Sequence, residues 1–309
     1  MHIRESTEQD IPAIVDLLKK SLGETSTPKS VNYWMWKHLN NPFGSSKVLL
    51  AEINGKLIGV RAMMQWKWQR GGQVFSALRA VDTATHPDFQ GKGVFSVLTQ
   101  KMVDRSKIDG VDFIFNTPNE KSLPGYLKLG WMPLRNLSVG FSFLSLLFIK
   151  NRRSVHGSID LDTIELLCNR WNVIQQKNTL LFTPKSLDYV KWRYLDNPII
   201  KYHIHADEDI FLALYCRKRK RINELRIAEI ISINPSAHIL KKVKNLIRHY
   251  SHESKANLIT FTPGFKAFIP GIKICLPLGP ILAVKNVNVE LPSFVNLKFA
   301  YNLGDMELF

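Results

Sequence analysis

The apolar positions of residues 1–150 change period several times along the chain. Ile3-Arg4 opens a first strand. Ile11, Ile14, Val15 and Leu18 then recur at helical spacing behind Thr7-Glu8-Gln9-Asp10, which suits a helix start of the capping-box kind. Residues 48–53 and 57–68 are rich in β-forming side chains and flank Asn54-Gly55, a strong signal for a tight hairpin. A second bend at Gly71-Gly72 leads into a strand over 74–85, and Pro87 closes it. Val94, Val97, Leu98 and Met102 share one face of a following helix, and residues 113–116 read as a buried strand. The most apolar run, residues 139–149, falls well short of the ~20 residues that a membrane-spanning helix needs and predicts another buried strand.

The chain also repeats itself. Thr27, Pro28, Lys29, Ser30, Tyr33, Trp36, Leu39, Asn41 and Pro42 recur without a gap as Thr183, Pro184, Lys185, Ser186, Tyr189, Trp192, Leu195, Asn197 and Pro198. Each copy predicts a short helix capped by its serine and ended before its proline, with Tyr and Trp on one face to anchor it to a sheet. After the second copy come apolar runs at 202–206, 210–216 and 225–233, then Pro235 and a helix beginning near Ser236. Both halves therefore read as helix, three-stranded meander, proline and helix. The boundary falls near residue 155, which predicts domains at 1–150 and 156–309.

A chain of 309 residues is long for one compact domain and comfortable for two, and 45% hydrophobic with 22% charged residues is an ordinary globular balance. Cys168, Cys216 and Cys275 are widely spaced with no Cys-x-x-Cys pair, which argues against a disulfide framework or a thiolate metal site. Together with a polar N-terminus lacking a signal-peptide pattern, this predicts a reducing, cytoplasmic setting. The net charge of +16 suits an anionic partner. Its densest cluster, Arg217-Lys218-Arg219-Lys220-Arg221, lies between two β-like runs and reads as a solvated hairpin turn. No aromatic interleaving of a nucleic-acid motif accompanies it, so nucleic acid is the weaker reading of the charge.

Between the strand at 74–85 and the next helix lies His86-Pro87-Asp88-Phe89-Gln90-Gly91-Lys92-Gly93-Val94-Phe95. Glycines at a strand-to-helix turn let backbone N–H groups converge on an anion at the positive end of the helix. The stretch resembles the acetyl-CoA signature of the GCN5-related N-acetyltransferases (GNAT), Gln/Arg-x-x-Gly-x-Gly/Ala, with Gln90 and Gly93 on its first two fixed sites. Phe95 stands where the family has Gly or Ala. Downstream, Asn116 and Asn119 through Tyr126-Leu127-Lys128-Leu129-Gly130-Trp131 resemble the family's Asn…Tyr-x-x-x-Gly-Phe block. The likeness covers roughly residues 1–145, whereas the second half shares only the layout and has Asn234-Pro235 where the glycine turn would be.

The resemblance implies an α/β (α+β) fold of two tandem GNAT-like domains, each a mixed, largely antiparallel sheet flanked by helices. It implies an N-acyltransferase using acetyl-CoA or a longer acyl-CoA, with no metal. The cofactor-binding residues it implies are Thr83, Ala84, Thr85, Gln90, Gly91, Lys92, Gly93, Val94, Phe95, Asn116 and Asn119. For the two asparagines, strand-end and helix-capping duty is the alternative. Tyr126 matches the tyrosine that protonates the leaving thiolate, with core packing as its alternative. Asp82, the only carboxylate on its strand, is a candidate base or amine-binding group, unless it pairs with Arg79 or another cation. His86 can relay a proton or simply make the turn.

The expected partner is a small amine, anionic overall, gripped in the cleft between the halves with Lys191, Arg193 and the 217–221 turn as candidates. Tandem proteins of this layout resemble N-acyltransferases of nucleotide-linked (dTDP or UDP) amino sugars in surface-polysaccharide synthesis. Acetylation of a protein, peptide or other small amine is the second reading; a polycationic acceptor fits poorly with the basic charge. A CoA- or nucleic-acid-binding module without catalysis is the third.

Overall fold

The hairpins fall where the sequence pattern predicts them. In the computed structural model, which describes residues 1–23, 28–143, 160–219, 222–289 and 298–306, the first half runs β1 (His2–Glu5), α1 (Ile11–Leu22), α2 (Val31–His38), β2 (Lys47–Ile53), β3 (Lys56–Arg70) and β4 (Gln73–Thr85). It continues with α3 (Val94–Ile108), β5 (Phe113–Asn116), α4 (Leu123–Lys128), β6 (Met132–Asn136) and β7 (Val139–Phe143). The second half has α5 (Leu161–Gln175), β8 (Leu181–Phe182), α6 (Leu187–Val190), β9 (His203–Ala206), β10 (Ile210–Arg219) and β11 (Ile222–Ser232). Then follow α7 (Ala237–Glu253), β12 (Leu258–Phe261), β13 (Ile272–Leu276), β14 (Ile281–Asn286) and β15 (Phe299–Ala300). Thr27, residues 144–149, the boundary near 155 and residues 220–221 of the basic turn lie outside the described residues.

These strands form two sheets. The first has the path β1-β2-β3-β4-β5-β14-β6, with β8 and β15 attached beside β3, and the second runs β13-β7-β12-β11-β10-β9. Both are mixed and mainly antiparallel; the parallel contacts are β4 with β5, β11 with β12, and the short β8–β15 pair. The fold class is thus the mixed α/β arrangement of central sheets and flanking helices implied by the resemblance.

The sheets are not divided at the middle of the chain. Strand β14, from the second half, lies between β5 and β6 of the first, antiparallel to both. Strand β7, from the first half, lies in the same way between β12 and β13 of the second. With β8 and β15 of the second half also joined to β3, each sheet draws strands from both halves, so neither is complete without the whole chain.

The repeated segments meet at the centre. Ser30 and Ser186 cap their helices by accepting from Tyr33 N and Tyr189 N, each at 3.1 Å. Trp36 and Trp192 stack with ring centroids 5.1 Å apart. Trp36 Nε1 donates to the carbonyl of Trp192 at 2.8 Å, and Trp192 Nε1 donates to the carbonyl of Trp36 at 2.7 Å. Matching residues of the repeat thus satisfy one another across a local two-fold. One core surrounds the pair, drawing Trp66, Trp68 and Phe115 from the first half and Tyr189, Tyr194 and Phe211 from the second.

Replacing either tryptophan by phenylalanine keeps a ring but strands a buried carbonyl, which should cost ~1–3 kcal/mol. Trp36→Phe and Trp192→Phe are each expected to lower stability by that amount in chemical denaturation. The double variant should lose less than the sum, since the two rings share a contact. Additive losses, or single losses under ~0.5 kcal/mol, the scale of ordinary surface substitutions, would count against the paired role.

Candidate functional site

Strands β4 and β5 run parallel but pair only where Ala77, Leu78 and Arg79 face Phe113, Ile114 and Phe115. Beyond that point they part, and a cavity of about 720 Å³ opens between them. The parting coincides with a bulge in the β3–β4 ladder. Arg61 faces Thr83 and Ala62 faces Val81, which leaves Asp82 as the extra residue. Asp82 has φ +40, a conformation that non-glycine residues avoid.

The repeat helix α2 holds that bulge. Lys37 Nζ lies 2.7 Å from Asp82 Oδ2, and His38 Nε2 lies 2.9 Å from the same oxygen. The other ring nitrogen of His38 meets Ser46 Oγ at 2.8 Å. Burial alone would raise the Asp82 carboxyl, but Lys37 and His38 more than offset it and hold the group well below the usual carboxylate range. Lys37 is therefore the cation that pairs with Asp82, and His38 bonds the same oxygen. Arg79 turns elsewhere: its guanidinium donates to the main-chain oxygens of Asp305 and Met306 and to Thr117 Oγ1.

At the other side of the cavity the glycine turn precedes α3. Gly91 and Gly93 have φ +75 and +78, and a Cβ on either would meet nothing within 4 Å, so the backbone faces open space there. Gly93 is the N-cap residue of α3 and offers no side chain to its first turn, which leaves helix N–H groups for an anion. Asn116 is buried on the cavity wall, its Oδ1 without a partner among the described residues. An uncapped helix start, a glycine turn and an orphaned amide oxygen together fit a ligand with a phosphate and amide-bearing arm, as the CoA family's ligand has.

Tyr126, from α4, is buried and also lines this cavity. Its Oη accepts from Arg61 Nη1 at 2.7 Å. Among the described residues nothing takes the Tyr126 hydrogen, which is left to donate elsewhere. Arg61 is fully buried; Nη1 also bonds Thr83 Oγ1, and its guanidinium lies over the rings of Tyr126 and Phe95. Sequence reasoning missed Arg61, although a lone arginine in the apolar run at 57–68 is a detectable signal. Lys37 and His38 were missed as well; they sit inside the repeat, where Tyr33 and Trp36 drew the reading.

Of the site residues expected from the sequence, Asp82, Thr83, Ala84, Thr85, Gln90, Gly91, Gly93, Val94, Phe95, Asn116, Asn119 and Tyr126 all line this one cavity. Lys92 does not; its ammonium sits over the ring of Phe89. Asn119 Oδ1 accepts from Ser122 N at 2.9 Å, so its side chain does capping work while it borders the cavity. His86 caps the Pro87–Phe89 turn, accepting from Asp88 N. Arg193 is fully buried over the rings of Trp36 and Trp192 and is not open to an acceptor.

Phe95 explains its own departure from the family's small residue. Its ring packs edge-on against Tyr126, 5.3 Å between centroids, and lies over Gly125. A Cβ at Gly125 would come within 3.0 Å of the Phe95 ring. The bulk absent at 125 makes room for the bulk present at 95.

Residues 2–134 match the model of the acetyltransferase (GNAT) domain. The glucosamine 6-phosphate N-acetyltransferase of Trypanosoma brucei brucei is 30% identical over 87 residues, covering 28% of this chain and 58% of that enzyme, so the chain spans less than two thirds of this relative. A conserved protein of unknown function from Enterococcus faecalis V583 shares the fold with TM-score 0.66 and 11% identity over 93% of this chain and 73% of its own. The GCN5-related N-acetyltransferase from Anabaena variabilis ATCC 29413 does so with TM-score 0.65 and 12% identity, again over 93% and 73%. At such identities the structural likeness is one of fold.

Gly125→Val should drive a methyl into the Phe95 ring and cost ~1–3 kcal/mol, as overpacking does. Adding Phe95→Ala should recover part of that loss in the same denaturation measurement. If Phe95→Ala worsens Gly125→Val instead, the two side chains do not share this space.

Proposed function

We propose that this chain, whose residues 2–134 match the acetyltransferase (GNAT) domain, is an N-acyltransferase that moves an acyl group from acyl-CoA to a primary amine. The observation that carries the reading is one cavity bounded by a glycine turn at a helix start, a bulged strand and a buried tyrosine with an uncommitted hydrogen. When bound, acyl-CoA supplies the acyl group already activated as a thioester. Gly91, Gly93 and the first turn of α3 would hold its pyrophosphate, and Asn116 an amide of its arm. Main-chain N–H groups at the end of β4, near Thr83 to Thr85, are suited to polarise the thioester carbonyl.

The transfer forms a C–N bond and breaks a C–S bond, so the sulfur must gain a proton and the amine must lose one. Tyr126 is suited to the first task. Arg61 occupies the acceptor side of its oxygen and orients the phenol, leaving O–H to donate toward the departing sulfur. Asp82 suits the second site in a particular way. A carboxylate held low by Lys37 and His38 is a poor base but a good anchor for an arriving ammonium group. We assign Asp82 to binding the acceptor as its ammonium on arrival; the amine then gives up its proton to water and attacks the thioester carbon as the neutral amine, while Tyr126 supplies the proton that the departing sulfur gains.

For the acceptor, the reading deepens to an amino sugar that carries phosphate, nucleotide-linked as the layout of the chain suggests. The net charge of +16 supports an anionic acceptor, and the trypanosomal relative acts on a phosphorylated amino sugar. On this reading residues 1–150 carry the acyl-CoA site, and residues 156–309 contribute to acceptor binding.

Gly93→Val should weaken CoA binding about tenfold or more by calorimetry, because φ +78 is strained for a branched residue and its side chain fills the anion's approach. Undiminished binding would remove the glycine turn from the site. With acetyl-CoA and a panel of glucosamine 6-phosphate and UDP- or dTDP-linked amino sugars, Tyr126→Phe should lower kcat about 100-fold while CoA affinity holds. Turnover within about threefold of wild type would reduce Tyr126 to a packing residue.

A further inference from the structure

The second half has a gap of its own. Strands β11 and β12 pair only where Glu224, Leu225 and Arg226 face Leu258, Ile259 and Thr260, and then part as β4 and β5 do. A cavity of about 490 Å³ opens beyond. Its entrance lacks what the first cavity has: Ile233 leads into Pro235, with no glycine turn and one backbone donor fewer for an anion. Its floor is different in kind. Lys185 Nζ lies 2.8 Å from Glu229 Oε2 and 3.1 Å from Asp305 Oδ1, all three residues lining the cavity and almost wholly buried.

The floor echoes the first half. Tyr194, which matches His38 in the repeat, donates to Glu229 Oε2 on β11 at 3.1 Å, as His38 meets Asp82 on β4. Asn302 Nδ2 donates to the same Oε2, and Tyr189 Oη donates to Asp305 Oδ1 at 3.0 Å. Among the described residues the bonds Glu229 accepts all fall on Oε2, which leaves Oε1 for an occupant. Ser232 Oγ, on the same wall, is buried with no partner among the described residues. Burial raises the Glu229 carboxyl, Lys185 opposes this only in part and Asp305 adds to it, the condition of a carboxylate short of positive charge. Trp171, Phe265 and Phe268 make an aromatic wall above.

From these features we propose that the β11–β12 cavity is a second ligand site, which takes a compact, non-phosphorylated amine with an apolar ring or chain. The ammonium would donate to Glu229 Oε1 and Ser232 Oγ while the apolar part lies against the aromatic wall, which also favours a cation. This site does not depend on the acyl-CoA reading of the first cavity.

The test uses the full chain, saturated with coenzyme A so that the first cavity is occupied, and calorimetry with 2-phenylethylamine and its hydroxyl counterpart 2-phenylethanol. The amine should bind once per chain, about tenfold or more tighter than the alcohol. Glu229→Gln should weaken it by about tenfold or more and leave CoA affinity unchanged. Gly264→Leu provides a second arm that leaves the buried network alone. Gly264 lines the cavity and a Cβ there meets nothing within 4 Å, so leucine fits the fold and fills the site. Weakened amine binding in Gly264→Leu supports the site even where Glu229→Gln fails to fold. No amine binding, equal binding of the alcohol, competition with coenzyme A, or unchanged affinity in Gly264→Leu would each overturn it.

Discussion

The ion pair of Lys37 with Asp82, reinforced by His38, sits where the central sheet of the first half must change direction. Asp82 is an extra residue in the β3–β4 ladder and takes a backbone conformation with φ +40, which costs ~1–2 kcal/mol for a residue with a side chain. Such strain persists only where its surroundings over-determine it. Here a buried lysine and a buried histidine, neighbours on one short helix, grip a single carboxylate oxygen. The bulge turns β4 away from β5, and the parted strands make the cavity. The contact that fixes the sheet also keeps Asp82 ionised at the cavity's edge.

The same helix reaches the other way. Trp36 lies one residue before Lys37 and exchanges hydrogen bonds with Trp192, its counterpart in the repeat. One short segment thus joins the mouth of the first cavity to the shared core. The exchange of β7 and β14 extends that union to the sheets. Arg79 adds a third tie, since it holds the main chain at Asp305 and Met306 against β4 while the Asp305 side chain serves the floor of the second cavity.

Much of this was legible in the sequence because it is local. Asn54-Gly55, the proline-terminated repeat helices and Gly91-Lys92-Gly93 each fix a turn or cap through the residues themselves, and the structure has them in those places. The exchange of strands is not of that kind. Residues 139–143 and 281–286 are short apolar strands, and nothing in a period of two says which sheet a strand will join. The partners of Asp82 were hidden for a related reason. Lys37 and His38 lie 45 and 44 residues away, and only the packing of α2 on the sheet brings them in. Arg61 was passed over because an apolar strand is read by its majority, whereas the exception carried the chemistry.

The exchanged strands also impose an order on synthesis. Strand β5 and strand β6 are made early, yet the slot between them belongs to β14, which is not complete until residue 286 has been added. Until then the nascent first half presents two unpaired strand edges beside a forming hydrophobic core, a template for unwanted pairing. Strand β7 waits in turn for β12 and β13 before it has neighbours. The cavity wall at Asn116 is therefore finished after translation has passed through both halves, and a chain stalled at the midpoint carries every signature residue of the first half without a closed sheet to hold them.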